Sequence, residues 1–442
     1  MTTRPEHALR TPAAPDGIPV LSDGDIGPAL VAVELALTSD GPWDVAEKAI
    51  NELTRDADAS PAAGLFRGAP AAAFVMDAAD VDGYFDLGDP QLVLEERLRQ
   101  AEKLIRLRET QLDLDVDLRH IVTQRLAAAK ARRAAHYPPT SAEFGLVDGM
   151  LGLGVIVLRR APGTALMLAV IDYVVELTRP VLVHGVRMPG WFVADDPAPE
   201  IPTPGGHVSM TVTDGAAGLL AFLATCVRAG YTPGSLQQPI ETLVDWLIDW
   251  AQPPSATWPD SVWWPRWVTP AEVQAGNLSD PERWAQEALP SWSRMAGIAR
   301  ALQMGAIVLG SVSQAYAEKA SHARGVAERA MLACLTDRQL RRLTEPGLRD
   351  GLAGLYQTGH RAAADASGPT EIGLRHRMSA VGDAMRHQVR AQARDASVGL
   401  WTGSSGVGLA AQTFRRGIAP TSRWDACLLI TGPEASDARD VP

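Results

Sequence analysis

The chain has 442 residues, 46% of them apolar, and carries 52 acidic against 41 basic residues for a net charge of −11. The acidic balance and the lack of a contiguous basic run exclude a phosphate-tracking surface, so no nucleic-acid partner is expected. The length is generous for one ordinary domain but suits a chain built from repeats, and alanine, leucine and glycine dominate, which predicts closely packed helices.

The opening stretch, "MTTRPEHALRTPAAP", is polar and lacks the apolar centre of a signal peptide, so a flexible start is expected over 1–20. Residues 21–431 are expected to form one helical body, and "GPEASDARDVP" (432–442) a disordered tail. Residues 92–135 read as charged amphipathic helices of an outer layer. The longest uncharged run, "ALQMGAIVLGSVSQAY" (301–316), is shorter than the roughly 18 apolar residues of a membrane span and holds polar residues. A cytoplasmic protein without a membrane span is therefore expected. The three cysteines, Cys226, Cys334 and Cys427, stand apart in apolar patterns and read as buried small hydrophobes.

A Gly-x-x-Gly step recurs along the chain. It occurs at Gly149/Gly152, Gly215/Gly218, Gly351/Gly354 and Gly403/Gly406, with weaker copies at Gly68/Ala71 and at Gly297. The copies lie roughly 50 to 80 residues apart, and each precedes an apolar helical run. A second amphipathic helix follows most of them, as in "PIETLVDWLIDWA" (239–251) and "SHARGVAERAMLACLT" (321–336). Such spacing means one supersecondary unit stacked repeatedly. Six helix pairs can close into a ring, with one helix of each pair inside, and the glycines let neighbouring inner helices approach. Parallel inner helices would gather their N-termini, with exposed N–H groups and positive dipole ends, at one mouth. The residues before each step would line it: Arg67, Asp148, Asp214, Ser293-Arg294-Met295, Arg349-Asp350 and Thr402. An aspartate there is either a chemical group or simply a favourable residue before a helix.

Two long loops interrupt the repeat. "PPSATWPDSVWWPRWVTPAEVQAGNLSDPERW" (253–284) holds Trp258, Trp263, Trp264, Trp267 and Trp284, which either pin the loop to the body or form an aromatic wall for an extended ligand. "GWFVADDPAPEIPTPGGHVS" (190–209) carries Trp191 and a solitary His207, which by itself indicates no chemistry.

The phrases "GLFRGAPAAAFVM", "SAEFGLVDGMLGLGVIVLRRAP", "PSWSRMAGIARALQMG", "LTEPGLRDGLAGLYQT" and "SRWDACLLI", taken in order, resemble the lanthionine synthetase C family, the LanC-like cyclases. The resemblance covers most of residues 60–431 and implies an all-α (α/α)6 toroid of six inner and six outer helices. It also implies a setting, the maturation of ribosomally made peptides, in which Cys thiols add to dehydrated Ser/Thr residues to form thioether rings. In the family, two Cys and one His hold a zinc whose open position activates the thiol. Here the family's Trp-Cys-Tyr-Gly is met by Trp292, Ser293 and Arg294, with about one residue deleted before Gly297, and its Cys-His-Gly by Arg349-Asp350-Gly351. Its Ala-His-Gly, with the proposed acid/base His, is met by Thr213-Asp214-Gly215, an Asp by Gly145 and an Arg by Leu289.

Ser, Arg and Asp do not make a zinc set, and Arg349 is a permanent cation, so no metal and no cofactor are expected. The foremost expectation is a degenerate cyclase that binds a precursor peptide, or a dehydratase or cyclase subunit. The second is zinc-independent ring formation with Asp148, Asp214 or Asp350 as base, a loss of ligands also found in the family's kinase-fused members. The third is a repurposed toroid in which paired carboxylates hydrolyse a substrate. Arg67, Arg294, Arg349 and Trp292 are the candidates for holding a substrate.

Overall fold

The computed structural model describes residues 26–79, 94–183, 185–197, 201–392 and 398–431. The start expected to be flexible (1–20) and the tail (432–442) lie outside the described residues.

Among the described residues, thirteen helices of ten residues or more build the body. They are α1 (Ile26–Leu37), α2 (Trp43–Thr54), α3 (Ala69–Ala78), α4 (Leu94–Ala134), α5 (Met150–Arg160), α6 (Ala165–Leu177), α7 (Ala216–Arg228), α8 (Pro233–Asp249), α9 (Met295–Val312), α10 (Ala317–Cys334), α11 (Leu352–Asp365), α12 (Gly368–Gln392) and α13 (Ser404–Arg416). The inner ring is α3, α5, α7, α9, α11 and α13, each starting at one Gly step. These helices are buried nearly all round: α7 is buried without a break from Ala216 to Ala224. That is why they read as apolar runs rather than amphipathic ones. The outer helices show the opposite pattern. On α10, Ala320, Ala323, Ala327, Ala330 and Cys334 form one buried stripe at helical spacing. Helix α9 is long and apolar enough to cross a membrane, more so than its sequence suggested, but 78% of it is buried inside the ring.

Each of the first five inner helices packs with the helix that follows it, α4, α6, α8, α10 and α12 in turn. No described helix follows α13, and its outer partner comes from the other end of the sequence: α1 packs against both α13 and α3. The buried Glu34 carboxylate of α1 accepts from the Thr421 amide (3.1 Å), the Ser422 amide (2.9 Å) and the Ser422 hydroxyl (2.5 Å), so the beginning of the ring is tied to its end.

The second glycine of each step has a clear cause. A Cβ built on Gly152, Gly218, Gly354 or Gly406 would land on the carbonyl oxygen of Leu146, Val212, Leu348 or Leu400, well under 3.0 Å away. In all four the carbonyl belongs to the residue six positions back. In the fourth unit Gly297 meets the carbonyl of Trp292, five positions back, as the one-residue deletion requires. The loop entering each inner helix therefore folds down onto the helix's first turn.

The chain ends its described course inside the ring. A 3-10 turn, Trp424–Leu428, touches α5 and continues to Ile430, with Trp424, Asp425, Cys427 and Leu428 fully buried. Asp425 accepts a bidentate pair from Arg361 of α11 (2.6 and 2.8 Å) and a third bond from Gln357 (2.7 Å). Arg300 of α9 donates to the Ile430 carbonyl (3.0 Å) and pairs with Asp365 (2.7 Å), which also binds Arg228 (2.8 Å). Burial pushes the Asp425 carboxyl up, and Arg361 with Gln357 more than offsets this, so it sits below the ordinary carboxylate range.

Two outcomes follow for stability. Gly354→Ala is expected to destabilise by about 1–3 kcal/mol or more, because the Leu348 carbonyl must move. Gly234→Ala, which meets nothing within 4 Å, should be neutral or slightly stabilising by denaturant titration. Asp425→Ala removes the bidentate acceptor of the buried Arg361 and should cost about 3–5 kcal/mol. Because the folded Asp425 value is depressed, its contribution is complete above about pH 4 and is lost as pH falls through the folded value. The variant's stability curve should lack that acid-side slope.

Candidate functional site

The loops in front of the inner helices join into a belt around one mouth. Leu146 N–H donates to the Thr213 carbonyl (2.6 Å), Ser293 N–H to the Arg349 carbonyl (3.2 Å) and Leu348 N–H to the Trp401 carbonyl (2.7 Å). Arg125 of α4 reaches from the outer layer to the carbonyls of Pro61 (2.8 Å), Ala63 (2.9 Å) and Asp148, stapling the first loop to the second. The Phe66 and Trp401 rings meet at 4.6 Å and close the belt between the last loop and the first.

The expectation of exposed helix N–H groups at this mouth is corrected for α7, α9 and α11. The Leu352, Ala353 and Gly354 amides donate to the carbonyls of Glu345, Pro346 and Gly347, and the Ala217 and Gly218 amides to those of Met210 and Thr211. The same folded-down loops that demand glycine consume the donors. Nor do the aspartates cap: Gly149, Gly215 and Gly351 are the N-caps, without side-chain bonds.

The aspartates instead gather hydroxyls. Asp214 accepts from Thr211 (2.5 Å), Thr213 (2.8 Å) and Ser209 (3.4 Å). Asp350 accepts from Ser293 (2.6 Å) and Ser291 (3.0 Å), and has the Nε atoms of Arg349 (3.6 Å) and Arg294 (3.8 Å) beside it. The alternation in "HVSMTVTD" and "SWS" is the sequence signal for this. In extended backbone, alternate side chains point to one side. Asp148 is half-buried, and its carbonyl rather than its carboxylate is held by Arg125. Arg67 is exposed on the first loop and donates to the Ala62 carbonyl (2.5 Å). Thr402 is exposed on the sixth loop.

Trp292 is not placed to meet a substrate, and that expectation is corrected. It is fully buried, stacks on Trp401 at 4.9 Å and donates its indole N–H to the Leu428 carbonyl (2.9 Å). The aromatic-wall reading of the long loop fails for the same reason. Trp258, Trp263, Trp264, Trp267 and Trp284 are all buried, and the indoles of the first three donate to the carbonyls of Ala288, Pro253 and Leu247. The tryptophans pin the loop down.

What the pinned loop delivers is Arg266. The short strands Val208–Ser209 and Trp267–Val268 pair antiparallel, and Met210 N–H donates to the Arg266 carbonyl (2.9 Å). The Arg266 guanidinium lies 4.7 Å from the Trp267 ring centroid. Burial lowers its pKa, Arg294 and Arg349 push the same way, and Asp214 and Asp350 oppose them. Next to it is His207, also buried. The His207 Nδ1 lies 3.0 Å from the Asp195 carbonyl, so Nδ1 carries the proton, and Nε2 has no partner among the described residues. Burial holds this imidazole below its ordinary value, against the pull of Asp214. Neither residue stands out in sequence, since both lie in irregular loops.

A closed ring of helix pairs with one polar mouth has a solved counterpart. The fold is similar to that of nisin cyclase. The superposition has a TM-score of 0.71 and covers 93% of this chain and 91% of that chain, at 14% sequence identity. That likeness establishes the all-α toroid. No protein-family model matches the sequence, and no curated protein does.

The positions that the resemblance assigns to a zinc hold a poor donor set. Ser293 and Asp350 bind each other, and the remaining flank of Asp350 faces the guanidiniums of Arg294 and Arg349. Cations at that distance oppose a metal ion. Among the described residues, no three His, Cys, Asp or Glu side chains come together to hold one. The three cysteines are buried elsewhere, and burial pushes their thiols up, away from thiolate.

By nitrogen-resolved NMR, His207 is expected as the Nδ1–H tautomer, titrating below about 6.5. Its effect on stability follows from that sign. Stability from a neutral buried imidazole is full above the unfolded value and falls as pH drops toward the lowered folded value. A His207 resonance titrating above 6.5 contradicts this assignment.

Proposed function

We propose that this chain is a zinc-free, LanC-like toroid of ribosomal peptide maturation, acting in the cytoplasm. In this reading it binds a precursor peptide, or a dehydratase or cyclase subunit, rather than forming rings with a metal-activated thiol. One observation carries the reading. At the place of the family's metal, Asp350 is bound by Ser291 and Ser293 and flanked by Arg294 and Arg349. A carboxylate whose Oδ1 is held by two hydroxyls beside two guanidiniums is a polar brace for the belt. The neighbour's name, nisin cyclase, supports the peptide setting.

His207 favours a second reading, metal-free ring formation. Its neutral, unpartnered Nε2 lies in the field of Asp214 and can accept a proton. The imidazole would take the Cys thiol proton, the thiolate would add to the dehydroalanine β-carbon, and the proton would return to the α-carbon.

Mass spectrometry of the purified protein for metal, followed by incubation with a dehydrated model peptide, separates these readings. The expected result is no zinc and no thioether. Stoichiometric zinc overturns the proposal, and ring formation without metal that is lost in His207→Gln establishes the second reading. The combined substitutions Ser293→Cys, Arg349→Cys and Asp350→His should restore zinc uptake to a protein that otherwise takes up none.

A further inference from the structure

The mouth holds more positive charge than its own carboxylates use. Asp214 is engaged by three hydroxyls, and Asp350 by two with Arg294 and Arg349 only at 3.6–3.8 Å. Arg294 spends one further donor on the Glu287 carbonyl. Arg266 has no hydrogen-bond or ion-pair acceptor among the described residues, although it is half-buried and shares the field of two other guanidiniums. A fork of donors held over an indole ring, partly stripped of water and beside like charges, is unfavourable unless an anion completes it. The wider chain makes the point sharper, because this positive surplus sits on a protein of net charge −11.

We infer that Arg266, Arg294 and Arg349 form an oxyanion-binding site that takes a carboxylate or phosphate group carried by the peptide. The inference rests on the peptide-holding reading above and gives it chemistry: the bound segment is acidic or phosphorylated. Arg266 supplies the fixed bidentate fork. Arg349, exposed at the rim, draws the anion in. The backbone donors at the starts of α7, α9 and α11 do not contribute, since the loops already use them.

The test measures binding of three probes by calorimetry. These are a glutamate-rich peptide blocked at both ends, its glutamine counterpart, and inorganic phosphate. The glutamate peptide should bind and the glutamine peptide should not, with affinity falling as salt rises. Arg266→Gln and Arg349→Gln should each weaken binding about tenfold or more, and Arg266→Lys should restore part of it. Arg349 is exposed, so its substitution leaves packing intact and keeps the test valid if Arg266→Gln unfolds the loop. Arg375→Gln, on an exposed face of α12, is the control and should change nothing. A phosphoserine version that binds more tightly than the glutamate peptide assigns the site to phosphate. Equal binding of the acidic and neutral peptides, unaffected by the substitutions, overturns the oxyanion site and leaves the peptide reading standing. Phosphate binding that depends on these arginines, with no peptide bound, keeps the site and overturns the peptide reading. No binding of any probe overturns the inference.

Discussion

The ring depends on a single steric constraint: a loop carbonyl seated where a side chain would begin, on the second glycine of each step. Gly152, Gly218, Gly297, Gly354 and Gly406 each accept a carbonyl in that space. The contact forces the entering loop down onto the first helical turn. It sets how closely neighbouring inner helices approach and brings the loops within hydrogen-bonding distance of one another. The belt from Leu146 to Thr213, from Ser293 to Arg349 and from Leu348 to Trp401 is its consequence.

The same constraint decides what kind of site the mouth can be. Six parallel inner helices present six positive ends, and an open arrangement would make the mouth a backbone anion site. Folding the loops down satisfies those donors internally at α7, α9 and α11, the helices that carry Asp214, Arg294 and Arg349-Asp350 before them, so recognition there falls to side chains. The aspartates cannot cap, because glycine holds the cap position, and they turn instead to the hydroxyls on alternate residues of their own or the neighbouring loop. The arginines are left as the groups with unused hydrogen-bonding capacity. At the mouth, Arg67, Arg266, Arg294 and Arg349 outnumber Asp148, Asp214 and Asp350, and of the loops before the glycine steps the fifth carries both signs side by side.

Much of this was legible in sequence because it is local and periodic. The glycine step marks every inner helix start but the weakest, and its steric cause acts within five or six residues. The order of inner and outer helices followed from it. Ring closure did not, because α1 carries no glycine step and its partner α13 lies more than 350 residues away; the packing of α1 on α13 and the Glu34 contact with Thr421 and Ser422 reveal the pairing. Arg266 and His207 were hidden for a related reason. A pairing of two-residue strands joins their loops, and no periodicity can be read from two residues. Trp292 misled because its position beside the mouth is correct while its side chain turns inward, a direction that spacing alone does not give.

The division of labour between the two ends of the ring explains how the chemical positions can change while the fold remains. The glycine contacts are backbone against backbone. Along the axis, the buried Asp425–Arg361 pair and the Arg300–Asp365–Arg228 chain bind the C-terminal segment to α7, α9 and α11. None of these uses a side chain of the mouth, apart from Trp292, whose indole joins the belt to the axis at Leu428. A mouth residue is thus constrained in proportion to its reach toward the axis. Those that end in the opening, Arg349, Asp350, Arg294 and Asp214, bear on the belt and on whatever enters it, and can exchange one chemistry for another without loosening the ring.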